Sequence, residues 1–178
     1  NANSAYYFNG LGDYINAGDV SYLDGLSEAT WSWWMSTTDP QPRPSANDYI
    51  SVIRKDSSWI PLQFANDGYD YWRSILFTGG LGSANLVWGS GASNVIPYNG
   101  DWNMYAVVKT PTEFKYYKNG VFQQSIAYTG QLENRDAPLL FGRAYTHNSL
   151  ESYNGKLDEI RIYSCALSDS EIIGLYSE

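Results

Sequence analysis

Covalent chemistry needs groups that attack, donate or accept, and this chain offers few of the usual ones. It has one histidine, His147, and one cysteine, Cys165. No serine–histidine–carboxylate or cysteine–histidine arrangement is legible, so nucleophilic catalysis has little to work with. His147 lies in the polar stretch 145–149 and reads as an exposed loop residue. Cys165 reads as a small, half-buried residue at the end of a strand, and a lone cysteine permits no internal disulfide. Glycoside hydrolysis would need paired carboxylates across a cleft. On strands that means Asp or Glu at alternate positions, and no Glu-x-Asp-x-Glu run is present. Asp158 and Glu159 are adjacent, so on a regular strand they point to opposite faces. The expectation is a protein that is not an enzyme. Zinc is disfavoured by the shortage of His and Cys.

The chain is instead rich in aromatic surface, with 16 Tyr and 7 Trp. Trp31, Trp33, Trp34, Trp88 and Trp102 fall in strand-like runs and read as core. A second group falls in polar turns: Trp59, Tyr69, Tyr71, Trp72 with Arg73, and Tyr98. Exposed rings cost solubility, so these six are the candidate ligand-binding residues. Sugar rings stack on such faces, while Tyr, Trp and Arg also dominate protein interfaces. A glycan and another protein surface both remain open as partners.

Charge narrows the choice. The net charge is −8, and charged residues make up 17% against a usual value of about 25%. That sign repels a phosphate backbone, and no Lys/Arg cluster offsets it, which excludes nucleic acid. It also argues against an anionic membrane surface. No apolar run approaches the ~20 residues that span a bilayer. The start at Asn1 is compatible with a mature terminus after cleavage, and no N-x-[ST] sequon occurs. A length of 178 residues fits a single domain over 1–178.

The elements that must carry these residues are mostly strands. Turn signals recur at Asn9-Gly10, Asp24-Gly25, Asp67-Gly68, Asn99-Gly100, Asn119-Gly120 and Asn154-Gly155. Between them lie short runs rich in aromatic and β-branched residues: 5–8, 30–35, 49–54, 60–64, 74–77, 86–89, 102–109, 114–118, 121–126 and 156–163. Many strands at close turn spacing predict an antiparallel sandwich or barrel. Asn119-Gly120 suits a type I′ hairpin turn. Ser168-Asp-Ser-Glu171 is a capping box for a short helix running to about Tyr176, with Leu167 and Ile172 placed as a hydrophobic staple. The Pro40–Pro44 run is a stiff loop insertion, and Gly79–Ser83 is a flexible one.

The C-terminal segment YNGKLDEIRIYSCALSDSEI, from Tyr153 to Ile172, resembles the closing strand and helix of laminin-G-like, concanavalin A-like jelly-roll domains, a family that includes pentraxin-like proteins. Other pieces follow in the family's order. They are Phe8–Ile15 as opening strand and turn, Ala29–Met35, Ile50–Lys55, Gly100–Val108, the hairpin within Tyr116–Val121, and Pro138–Arg143. The sequence departs from the family pattern at Asn103-Met104, where a His pair is usual, and at Trp33, where a small residue is usual. The resemblance implies an all-β, antiparallel two-sheet jelly roll with one short C-terminal helix. It implies no single function, because such domains serve lectins, adhesins, receptors and multidomain polysaccharide-degrading enzymes.

The resemblance also implies that the two ends of the chain pair. The turn from Asn9 to Asp13 would then lie beside the last strand, which carries Asp158. A carboxylate between Leu157 and Ile160 should be costly unless it is paired or metal-bound. Asp13 and Asp158, with Asp19 and Asn9 as further oxygen donors, are therefore the candidate ligands of a structural calcium ion. The competing explanation is that Asp158 caps a turn or pairs with Arg161 or Lys156. The expected function is a non-catalytic recognition module, extracellular or on a cell surface, binding glycans through loop aromatics. The alternative is a structural subunit or adhesin domain assembling with copies of itself.

Overall fold

The Asn119-Gly120 turn closes as its sequence predicts. In the computed structural model both residues have positive φ, 50° and 75°, and Val121 pairs directly with Lys118. Asn119 does more than turn the chain. Its Oδ1 accepts from the Met104 amide at 2.8 Å, and its Nδ2 donates to Asn103 Oδ1 at 2.9 Å, tying the hairpin to the neighbouring strand. The structure describes residues 4–38, 48–55, 59–66, 71–78, 82–88, 99–134, 136–143 and 152–178.

Twelve described strands form two antiparallel sheets. In order they are β1 (Tyr6–Asn9), β2 (Ile15–Asp19), β3 (Ala29–Ser36), β4 (Asp48–Lys55), β5 (Trp59–Asn66) and β6 (Tyr71–Thr78), then β7 (Gly82–Trp88), β8 (Asn103–Lys109), β9 (Glu113–Lys118), β10 (Val121–Ala127), β11 (Pro138–Phe141) and β12 (Asn154–Tyr163). The first sheet runs β1-β12-β3-β8-β9-β10, and the second runs β2-β11-β4-β5-β6-β7. The chain is thus a two-sheet jelly-roll sandwich, and its terminal strands pair as expected, with Tyr6 opposite Leu157 and Asn9 opposite Asn154. One strand was not foreseen. Ile15–Asp19 pairs with β11 along the edge of the second sheet.

Period-two alternation sets the core. From β3, Trp31, Trp33 and Met35 face inward and join Phe8, Tyr105, Val107, Phe114, Tyr116, Tyr153 and Leu157. Trp33 stacks on Tyr105, with ring centroids 6.1 Å apart, and Tyr105 stacks on Tyr116 at 6.5 Å. The unusual Trp33 thus begins a continuous ring stack. Burial pushes the phenols of Tyr105 and Tyr116 well above their usual range.

A second, smaller core lies on the outer face of the first sheet. Helix α1 (Asp169–Tyr176) sets Ile172 and Leu175 against Met104, Ala106, Val108 and Tyr117. The capping box is present: the Glu171 amide donates to Ser168 Oγ at 3.4 Å, and the Ser168 amide donates to Glu171 Oε2 at 2.7 Å. The Ser168 amide and hydroxyl, both donating to Oε2, hold the Glu171 carboxyl below its usual value. Tyr117 Oη donates to Asp169 Oδ1 at 2.7 Å and pins the start of the helix.

Candidate functional site

The alternation that buries Trp31 and Trp33 turns Trp34 outward, and there it meets a cleft. The cleft has a volume of about 760 Å³ and lies beside α1 on the outer face of the first sheet. Tyr7 of β1, Trp34 of β3 and Trp102, just before β8, supply its rings. Lys156, Asp158, Glu159 and Arg161 of β12 and Glu178 supply its charges. Tyr7 is 64% exposed and Trp102 39%. Trp34 is half-buried and stacked on Tyr176, with centroids 5.7 Å apart. A stacked ring has lost its rotamer freedom before any ligand arrives.

A β-bulge shapes the charged strip. Asp158 pairs with Trp34 and Arg161 pairs with Ser32, so two residues of β12 sit opposite one of β3. Glu159 takes a left-handed backbone, φ 46°, and its amide donates to Asp158 Oδ1 at 2.8 Å. The extra residue breaks strict alternation, so Asp158, Glu159 and Arg161 all line one cleft. The opposite-face expectation for Asp158 and Glu159 is corrected here. Its assumption of a regular strand fails at the one bulged position. Arg161 is clamped between two carboxylates: Nη2 meets Glu159 Oε2 at 2.8 Å, and Nη1 meets Glu178 Oε2. Asp158 is half-buried on the outer face, while Leu157 beside it is buried in the core. The bulge amide bonds one oxygen of its carboxylate, and the cleft leaves the group open to solvent.

The four oxygen donors expected around calcium do not form one shell. Asn9 and Asp13 share a turn, where the Asn9 amide donates to Asp13 Oδ2 at 3.1 Å and the Leu11 amide donates to Asn9 Oδ1 at 2.7 Å. Asp158 lies four residues along β12 from Asn154, the partner of Asn9, which is roughly 13 Å at strand spacing. Asp19 is in the other sheet, where it meets the Lys55 ammonium at 2.8 Å; Asp24 meets the same ammonium at 2.7 Å. Burial works to lower the Lys55 pKa, but its hydrogen bonds to Asp19 and Asp24 and their negative charge outweigh it and hold Lys55 above its usual value. A lysine thus supplies the positive charge at Asp19. Among the described residues, no three His, Cys, Asp or Glu side chains converge on a metal position.

The aromatic group expected in loops is also redistributed. Trp59 opens β5, and Tyr71, Trp72 and Arg73 open β6. Trp72 pairs with Phe64 and Trp88, on the strand next to the β7 edge of the second sheet. The turn signal at Asp67-Gly68 is followed by a strand that starts sooner than its polar neighbours suggest. Tyr69, Tyr98 and His147 lie outside the described residues. Trp102, expected in the core, is an exposed wall of the cleft, because β8 begins one residue later, at Asn103. Cys165 is exposed rather than half-buried, since the chain has already left β12 at Tyr163. Tyr7, Trp34 and Trp102 were missed as a site, although one signal was available. Trp34 is out of phase with Trp31 and Trp33, so period two already sent it to the other face.

Fold and cleft together define a jelly-roll sandwich with an aromatic, charge-lined cleft on the outer face of its first sheet. The chain belongs to the Concanavalin A-like lectin/glucanases superfamily, whose model matches residues 8–173. A search of curated proteins finds no match. Several solved structures are similar. The binding domain of Paraclostridial Mosquitocidal Protein 1 superimposes with a TM-score of 0.73 at 17% identity, over 97% of this chain and 42% of that one. Domain 4 of AbnA, an extracellular arabinanase from Geobacillus stearothermophilus, in complex with arabinotriose, gives 0.59 at 20% identity, over 97% and 76%. The heptameric SAP-like pentraxin of Limulus polyphemus gives 0.64 at 12% identity, over 96% and 80%. At these identities the likeness establishes the fold. The chain spans about two fifths of the mosquitocidal binding domain it resembles. No described helix is long and apolar enough to cross a membrane.

Proposed function

We propose that this chain is a non-catalytic, extracellular glycan-recognition module whose site is the cleft lined by Tyr7, Trp34 and Trp102. The observation that carries this reading is the convergence of three rings with hydrogen-bonding charges on one surface. Rings give sugar C–H faces a flat apolar contact, and carboxylate and ammonium groups bond hydroxyls more strongly than neutral partners do. The non-catalytic part rests on the carboxylates. Glu159 and Glu178 are both committed to Arg161, so among the described residues the cleft holds Asp158 without an opposed free partner. Domain 4 of AbnA, solved with arabinotriose, is a sugar-bound example of the same fold. The rival expectation of self-assembly has exposed Val121, Phe122, Ile173 and Tyr176 in its favour, apolar surface that specifies no particular partner.

The test is retention of the purified chain in native gels cast with soluble polysaccharides, followed by calorimetry on those that retard it. Trp102→Ala should weaken binding by about tenfold or more, equivalent to about 1.4 kcal/mol. Its circular dichroism should remain that of the parent. A parent chain that migrates freely through every polysaccharide would remove this reading.

A further inference from the structure

Resting on the glycan reading of this cleft, we infer that its ligand is an uncharged oligosaccharide, longer than one sugar ring, laid across β12 from Tyr7 to Trp34. The strand register carries the length argument. Tyr7 pairs with Lys156 on one side of β12, and Trp34 pairs with Asp158 on the other. The two ring-bearing residues are thus two strands apart and two residues apart along them. At about 3.4 Å per residue and about 4.8 Å between strands, their Cα atoms stand roughly 12 Å apart. A single pyranose reaches one of these rings, whereas a short oligosaccharide reaches both.

Lys156 and Asp158 lie between the rings. As alternate residues they share the outer face of β12, about 7 Å apart. Lys156 forms no ion pair among the described residues, so its ammonium is free to donate. Asp158 Oδ1 accepts from the Glu159 amide, and its remaining acceptor capacity is left for hydroxyl donors. A donor and an acceptor set between two rings match a chain of alternating apolar faces and hydroxyl edges.

Charge carries the second half of the inference. The second cation of the described lining, Arg161, is held by Glu159 and Glu178, so its charge is already matched by two carboxylates. Among the described residues of the lining, three carboxylates face two cations, on a chain of net charge −8. An acidic sugar meets Asp158 and gains only Lys156. An uncharged sugar uses both groups.

The experiment is calorimetric titration of the chain with neutral gluco-, xylo-, manno- and arabino-oligosaccharides, from monosaccharide to hexasaccharide, and with oligogalacturonates of matched length. For the neutral series that binds, affinity should rise at least about tenfold once the ligand spans both rings, then level off. Oligogalacturonates should bind more weakly at every length. Tyr7→Ala, at an exposed position, should erase the gain with length. Asp158→Asn keeps an oxygen for the Glu159 amide, so the bulge is preserved, and it should cost about tenfold. Affinity independent of length, equal loss at all lengths in Tyr7→Ala, or tighter binding of oligogalacturonates would each overturn the inference while leaving a Trp102-dependent glycan site in place. Absence of binding by every sugar in the native gels and in the calorimeter would remove both.

Discussion

The outer face of the first sheet is divided into two halves that share one backbone pattern and differ in what covers them. Over β8 and β9 the outward residues are Met104, Ala106, Val108 and Tyr117, and α1 lies on them with Ile172 fully buried. Over β1 and β12 the outward residues are Tyr7, Lys156 and Asp158, and the face stays open as a cleft. Trp34 stands at the seam, packed against the helix cluster and Tyr176 yet lining the cleft. Alternation alone puts half of each strand outward. The side-chain type at those outward positions then decides whether the chain covers them itself or leaves them for a ligand.

The largest expected effect tests that division directly. Ile172→Ala removes buried methyl groups from the covered half and should cost about 2–5 kcal/mol. In calorimetry that is a fall in Tm of roughly 2–4 °C per kcal/mol for a chain of this size. Tyr7→Ala in the open half should stay within about 0.5 kcal/mol of the parent. Similar losses in both would mean that the open half is structural surface and the division has no energetic basis.

A second contrast, smaller per step, is between core tyrosines and solvent. Tyr105 and Tyr116 are buried in the ring stack, and burial holds both phenols above their usual range. In the unfolded chain they lose their protons near pH 10. Above that pH the folded state binds more protons than the unfolded one, so stability falls as pH rises. Lys55, also raised, acts in the same direction: its pairing with Asp19 and Asp24 contributes fully below about pH 10.4 and fades above the folded value. Lys109, lowered chiefly by burial, acts the other way, but only below about pH 10.4, where the unfolded lysine holds a proton that the folded one has lost. The urea midpoint should be set by other groups below pH 10 and should decline above it, by about 1.4 kcal/mol per pH unit for each buried phenol that has yet to ionise. A flat midpoint from pH 9 to 11 would show that the ring stack is open to hydroxide.

What was legible in the sequence was what is local. The Asn119-Gly120 turn and the Ser168–Glu171 box each need a few adjacent residues, and both stand as expected. The strands richest in aromatic and aliphatic residues, β3, β8 and β9, lie close to their expected bounds. β2 was not legible because Asn16, Gly18 and Asp19 are poor strand formers, and β11 recruits them by pairing. Nor was the cleft, for a related reason. Its rings come from positions 7, 34 and 102, and only the β1-β12-β3 order brings the first two together. Lys55 could not be assigned from composition either, since a buried lysine is explained only by Asp19 and Asp24 arriving from outside β4.

The bulge in β12 is where local pattern and tertiary structure disagree most, and a pair of substitutions isolates it. Glu159 holds a left-handed backbone at φ 46°, which costs an L-residue roughly 1–2 kcal/mol and is free for glycine. Glu159→Gly and Glu159→Val both lose the contact with Arg161, so that loss cancels between them. The difference left is mainly backbone strain, and Gly should be more stable than Val by about 1 kcal/mol in urea melts. At Lys156, a regular exposed position on the same strand, the order should reverse by up to about 1 kcal/mol, because valine suits a pleated surface and glycine does not. The same two residues thus rank oppositely three positions apart if the bulge is real. A preference for valine at both positions would mean β12 runs straight, with Asp158 and Glu159 on opposite faces, and the charged strip of the cleft would not exist in solution.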